Sequence, residues 1–239
     1  MRLVLFVLPI TLALNSMPAA SQNAAPQNPE PATAEPAEAG SAATAAPVAA
    51  TPTCEVHIWP AARVGAVTQG AGSWFGLIGA IADAAAHADQ NKRDKAFIIS
   101  VLDPAAQARA MREMNLPSAL SLPAANVITH DAGIELNSET TGRLTQSTAP
   151  CYYDIVVRQL VYLKTATTKG KMRTFIMVRG SNGNTRVVDY KDSANHALEV
   201  KLPKEGEDAT EASRALIDAF KADLEEFSAK FVRKTTNKA

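Results

Sequence analysis

Residues 151–190 read CYYDIVVRQLVYLKTATTKGKMRTFIMVRGSNGNTRVVDY and hold three runs rich in strand formers, separated by two turn signals. The runs are Tyr152 to Leu163, Arg173 to Val178 and Thr185 to Tyr190. Thr167, Lys169 and Gly170 separate the first two, and Ser181-Asn182-Gly183-Asn184 precedes the third. Consecutive short-linked strands of this kind pair antiparallel, so the stretch predicts a meander. In the first run Tyr153, Ile155, Val157, Val161 and Leu163 share one face, interrupted by Gln159, while Asp154, Arg158 and Lys164 fall on the other. That alternation predicts one buried face. In the second run Met172, Ile176 and Val178 oppose Arg173, Phe175, Met177 and Arg179, a less one-sided pattern that implies cover on part of both faces.

Downstream of the meander, Leu198, Val200 and Leu202 alternate with Glu199 and Lys201 ahead of Pro203, the pattern of a short edge strand. Asp208 and Glu211 form a capping-box-like start. Ile217, Phe220, Leu224, Phe227 and Phe231 then recur at steps of three and four, which predicts an amphipathic helix over 209–232 with a stripe that must be covered. Lys230, Arg233, Lys234 and Lys238 suit its carboxyl end, and residues 234–239 are expected to fray.

Upstream, Cys54, Val56 and Ile58 alternate with Glu55, His57 and Trp59 before Pro60, as in a first strand. Residues 61–73 carry Gly65, Gly70 and Gly72 and read as a loop. Ser73 caps an expected helix to Gln90, a second helix covers Lys92 to Leu102, and Asp103-Pro104 restarts a third to about Met114. Asn126 to His130 is a short strand candidate, and residues 131–150 show too little apolar pattern for a regular element. The fold class that follows is α+β: an antiparallel-rich sheet of four or five strands built on a long meander. Helices cover it, including the 74–90 helix and the amphipathic C-terminal one.

The amino terminus has the form of an export signal over residues 1–20: Arg2, an apolar run from Leu3 to Leu14, and small residues at Ala19 and Ala20. Its apolar core is shorter than the ~20 residues of a spanning helix, and no other stretch qualifies, which predicts no transmembrane segment after signal removal. Residues 21–53 are almost entirely Ala, Pro, Glu, Gln, Ser and Thr and read as a disordered linker. About 185 residues remain, enough for a single domain over 54–233. Acidic and basic residues balance at 24 each, so nothing points to nucleic acid as a partner. The expected location is periplasmic or secreted. In that compartment Cys54 and Cys151, which share no CxxC spacing, are expected to form one structural disulfide over two free thiols. Cys54 lies far from the signal and follows Thr-Pro-Thr without a lipobox, so no lipid anchor is expected.

Motifs for chemistry are weak. Gly70-Ala-Gly72-Ser-Trp-Phe-Gly76 precedes a helix, but its third glycine is one place late and no Walker lysine follows, so it reads as a loop with a glycine-rich helix entry. His57, His87, His130 and His196 show no metal-ligand spacing, and His57 reads as a surface histidine beside the disulfide. No GxSxG elbow is present, Ser73 and Ser181 have no recognisable base, and Glu225 and Glu226 sit on the polar side of the last helix. No catalytic set, cofactor or metal site is implied. Arg158, Lys164, Lys169, Lys171, Arg173 and Arg179, interleaved with Tyr152, Tyr153, Tyr162 and Phe175, make the hairpin locally basic. They form a possible binding surface for an anionic envelope surface, against the plainer reading of cross-strand pairs and lysine-protected edges.

This order of a first strand, helices, a short strand, a long meander and a C-terminal amphipathic helix resembles the periplasmic α/β domain of CsgG-type curli secretion proteins and the amino-terminal domain of TolB. The resemblance covers residues 54–233 as a pattern of elements, without a shared motif and without the lipidated cysteine of the CsgG type. It implies a non-catalytic envelope module. Two functional expectations follow: a binding or assembly module whose partner is an envelope protein or an anionic envelope surface, and a periplasmic hydrolase with His57 or His130 as base.

Overall fold

The computed structural model describes residues 54–70, 85–123, 125–137, 140–165, 169–183 and 185–237. The expected leader, the expected linker and most of the expected 74–90 helix lie outside these residues. Six strands form one sheet: β1 (Cys54–Trp59), β2 (Arg63–Gln69), β3 (Ala125–Thr129), β4 (Cys151–Thr165), β5 (Lys171–Asn182) and β6 (Thr185–Ala197). The helices among the described residues are α1 (Ala88–Val101), α2 (Pro104–Glu113), the single turn α3 (Leu116–Ala119) and α4 (Thr210–Thr236). The architecture is α+β, and no helix among the described residues is long and apolar enough to cross a membrane.

β4 is the hub. It pairs antiparallel with β5, which pairs antiparallel with β6, giving the meander. On its other edge β1 lies parallel beside Tyr152–Val156 and β2 parallel beside Gln159–Thr165, while β3 extends the sheet parallel to β1. Pro60 has no N–H to donate and separates β1 from β2. The residues after it, expected as a loop, nevertheless re-enter the sheet at Arg63 because β4, fifteen residues long, leaves its lower edge open.

The face alternation of β4 breaks once. Val157 pairs with Ile176 and Gln159 with Phe175, so Arg158 is an extra, exposed residue in a β-bulge. Above the bulge the core-facing residues are Tyr153, Ile155 and Val157, as the alternation predicts; below it they are Leu160 and Tyr162, not Val161 and Leu163. One inserted residue reverses the phase of every later side chain.

The face bearing Val56, Ile58, Ile155, Leu160, Ile176 and Val178 is covered by α1, α2 and α4. α1 is continuous from Ala88 to Val101, through the break expected near Lys92. Asp103 caps α2 as the sequence predicts, accepting from the Ala106 N–H at 2.7 Å. On α4 the buried stripe includes Leu216, Phe220, Leu224, Phe227 and Phe231, with Ile217 only part-buried. Each such residue contributes roughly 1.5–3 kcal/mol by leaving water. The helix outruns the expected fraying point at 234, and the Thr235 and Thr236 hydroxyls donate to carbonyls one turn back.

The opposite face is covered over its upper half by the irregular residues 131–137 and 140–150, whose Ile134, Leu136 and Leu144 pack on Val156, Met177 and Trp59. The less one-sided pattern of the second run has this cause. At the free edges, backbone groups are occupied from within the chain. Asp192 accepts the Ser193 N–H, Lys230 donates to the Ser193 carbonyl, and the Asn91 amide oxygen accepts the Thr68 N–H. Residues 198–202, expected as an edge strand, form none; Leu198 is buried and donates its N–H to the Gly170 carbonyl at 3.0 Å.

Candidate functional site

Alternation on β1 and β4 places Glu55, His57 and Trp59 beside Tyr152, Asp154 and Val156 on the face away from the main core, since Glu55 is in register with Tyr152 and His57 with Asp154. β3 brings His130 alongside: its N–H donates to the Ile58 carbonyl at 2.9 Å. His57 and His130, 73 residues apart, thereby meet with His57 Nδ1 3.0 Å from His130 Nε2. His57 Nε2 lies 3.4 Å from Glu55 Oε2. A carboxylate only accepts, so Nε2 of His57 carries its proton and Nδ1 accepts from the His130 Nε2–H. The Trp59 ring stacks on His130 at 3.4 Å between centroids, and Tyr152 packs against His57 at 4.9 Å.

The chain continues at both ends. Ser147 donates a short hydrogen bond to Glu55, which, as the largest influence, holds that carboxyl below the usual carboxylate range. Burial, the largest influence, lowers His130 below the ordinary imidazole value. The Tyr152 hydroxyl donates to Asp154 at 2.7 Å, and burial pushes that phenol up to about 12. Asp154, 1% exposed, also accepts from Trp59 Nε1 at 3.3 Å and faces Arg179 at 3.8 Å. Burial is the largest influence on it and raises its carboxyl, while its donors and the guanidinium act the other way.

Beside this network a cleft of about 520 Å³ opens between the upper ends of β4, β5 and β6 and residues 142–143. Arg143, Arg179, Arg186, Ser181, Tyr152 and Asp154 line it, together with the backbones of Gly142, Gly180 and Gly183. Arg179 donates to the carbonyls of Thr140 and Gly142 at 2.9 and 2.8 Å, and Arg143 to those of Ser147 and Gly183 at 2.7 and 3.2 Å. The two guanidiniums clamp the irregular segment onto the sheet. Arg179 Nε and Ser181 Oγ are buried without a partner, unmet hydrogen-bonding capacity in the cleft wall.

For acyl transfer a serine must hydrogen-bond the base that takes its proton. Here Ser147 is bonded to Glu55, His57 is 4% exposed with both ring nitrogens engaged, and neither histidine lines the cleft. The network holds the 140–150 segment to β1.

The expected disulfide is present: Cys54 and Cys151 are bonded with Cα atoms 4.4 Å apart, joining the starts of β1 and β4. His57, expected at the surface, is buried because residues 131–150 cover its face. The six basic residues expected to share a binding surface do not form one; only Lys164 and Lys169 come together. Arg179 is buried at the cleft, Arg158 is exposed on the bulge, and Lys171 is exposed at the start of β5. Arg173 lies over the Phe175 ring and donates to Ser193 Oγ. Lys164 points to the helix side and pairs with Asp94, and Lys169 stands in the turn after β4. Arg143 and Arg186 carried no sequence signal. Glu55, His57, Trp59, Tyr152 and Asp154 were readable only as alternate residues on one strand face. No group of three or more His, Cys, Asp or Glu side chains among the described residues is placed to hold a metal ion.

No protein-family profile and no curated protein matches this chain. Among solved structures, a protein titled "Crystal structure of uncharacterized protein" aligns with 77% of this chain and 99% of its own, at 10% identity and a TM-score of 0.28.

Proposed function

We propose that the protein is an exported, periplasmic, non-catalytic binding or assembly module of the bacterial cell envelope. The observation that carries this reading is the division between the histidines and the cleft. The one described histidine pair is held in a hydrogen bond away from the cleft, with His57 buried and His130 half-buried. The open polar cleft, by contrast, is walled by arginines, glycine backbones, Ser181, Tyr152 and Asp154, and that carboxylate is already engaged by Tyr152, Trp59 and Arg179. The apolar run and small residues at 1–20, the Ala/Pro-rich stretch at 21–53 and the Cys54–Cys151 bridge support export to an oxidising compartment. The resemblance in element order to CsgG-type and TolB amino-terminal domains supports the same reading.

The alternative is a periplasmic hydrolase, favoured by one observation, the Ser147–Glu55–His57–His130 hydrogen-bonded chain. Turnover assays separate the two. Purified protein is challenged with generic ester, phosphate monoester and peptide substrates, beside the His57→Ala, His130→Ala and Ser147→Ala variants. The binding reading expects no turnover above a protein-free control. Turnover by the wild type that any folded variant abolishes would overturn it.

A further inference from the structure

On the helix side of the sheet, at the end opposite the cleft, a separate pocket of about 280 Å³ brings together Arg93, Lys164, Lys169, Lys201 and Lys204 around one carboxylate, Asp94. The cations come from four places in the chain: α1, the end of β4, the turn after it, and the segment following β6. Each place is anchored. The Tyr162 hydroxyl donates to the Lys169 carbonyl at 2.7 Å, and Leu198 donates to the Gly170 carbonyl at 3.0 Å. Leu202 packs against the main core and sets the position of its neighbours Lys201 and Lys204. The convergence is therefore a property of the folded backbone.

Asp94 is 7% exposed and is occupied by Lys164, whose ammonium also lies 5.7 Å from the Tyr162 ring centroid. This ion pair forms the buried floor. Arg93, Lys169, Lys201 and Lys204 are exposed around it, and none has a carboxylate partner among the described residues. Glu207 accepts the Lys204 backbone N–H at 2.8 Å without pairing its ammonium. In a chain that balances 24 acidic against 24 basic residues, four cations at one pocket without a side-chain ion pair depart from its average surface. Like charges held together by fixed backbone repel, and an oxyanion between them removes the repulsion and gains charge-assisted hydrogen bonds. The planar fork of Arg93 and the ammonium donors of the lysines match the oxygens of a phosphate group.

We propose that this pocket binds a phosphate-bearing ligand, with Arg93, Lys169, Lys201 and Lys204 as the binding residues over the Asp94–Lys164 floor. The volume suits a single phosphorylated head group. The phosphate can belong to a soluble phosphate ester or to an anionic lipid. The inference extends the binding role proposed above but uses a different site, so either can fail alone.

The test uses the full chain and two probes: inorganic phosphate by calorimetric titration at low ionic strength, and co-sedimentation with phosphatidylcholine vesicles with or without phosphatidylglycerol. The pocket variant is Arg93→Gln with Lys204→Gln; both residues are exposed and unpaired, so the fold is retained. The control is Arg158→Gln with Lys191→Gln, which removes the same charge away from the pocket. The expected result is binding that weakens at least tenfold in the pocket variant and less than twofold in the control. Phosphate binding without vesicle binding identifies a soluble ligand. Vesicle binding that requires phosphatidylglycerol identifies a lipid head group. A wild type that binds neither probe, or equal losses in both variants, overturns the proposal. A partner captured at the cleft in that event leaves the binding role standing without this site.

Discussion

Removing the Cys54–Cys151 bridge tests how much of the stability depends on tying β1 to the hub strand. The bridge spans a sequence separation of 97, enclosing α1, α2, α3, β2 and β3. On the chain-entropy account, closing a loop of that length limits the unfolded ensemble by about 4.7 kcal/mol at 25 °C. Compact denatured chains reduce the figure, so it is an upper value. With a urea slope of about 2 kcal/mol per molar, ordinary for a domain of this size, the unfolding midpoint should fall by about 2 M. The variant is Cys54→Ala with Cys151→Ala, which leaves no lone thiol to form intermolecular bridges. Urea unfolding followed by far-UV circular dichroism, with and without reductant, is the assay. Reductant should move the wild type to the variant's midpoint and leave the variant unchanged. A midpoint difference below about 0.5 M, or a reductant effect on the variant as large as on the wild type, would refute the assignment of the bridge as the main constraint between β1 and β4.

Leu224 is fully buried between α4 and the sheet, so Leu224→Ala should cost 2–5 kcal/mol, read as a lower denaturation midpoint; an unchanged midpoint would contradict that packing. Asp223 is fully buried on the same helix, accepts from the Thr174 hydroxyl at 2.6 Å, and is pushed by burial to about 7 from an ordinary 3.8. Between those values the folded state keeps a proton that the unfolded state has lost, so this group's contribution falls as pH rises from about 4 to about 7 and stays low above. Asp223→Asn keeps an oxygen for Thr174 and removes the titration. The variant should match the wild type near pH 4 and exceed its stability at pH 8, and a difference that is the same at both pH values would refute the buried neutral acid.

Much of this fold is legible in the sequence because the meander carries period-two alternation over three runs, and a fixed period specifies a face. The Asp103-Pro104 start of α2 and the aromatic stripe of α4 are equally local signals. The disulfide followed from cysteine count and compartment. What escaped the sequence depends on partners distant along the chain. Arg158 is a bulge only because β5 pairs across it, and nothing local distinguishes that arginine from an ordinary outward residue. β2 is rich in small residues and becomes a strand because β4 offers an open edge. Residues 131–150 have no regular pattern, yet they bury His57 and complete the cleft through carbonyls accepting from Arg143 and Arg179. Such backbone contacts leave no trace in residue type. The basic pocket was half-visible: Lys164 and Lys169 stood out as basic, but Arg93, Lys201 and Lys204 join them only through the packing of α1 and the segment after β6.

The most direct test of the proposed function places a photo-crosslinking residue at position 186, on the rim of the cleft, and at position 225, on the exposed side of α4, in the full chain expressed in its own cells. Irradiation followed by identification of adducts is the measurement. The account expects an adduct with one envelope component from position 186 that is absent from position 225. Unmodified monomer from both positions, from a protein that turns over an ester, phosphate or peptide substrate through His57, would contradict it.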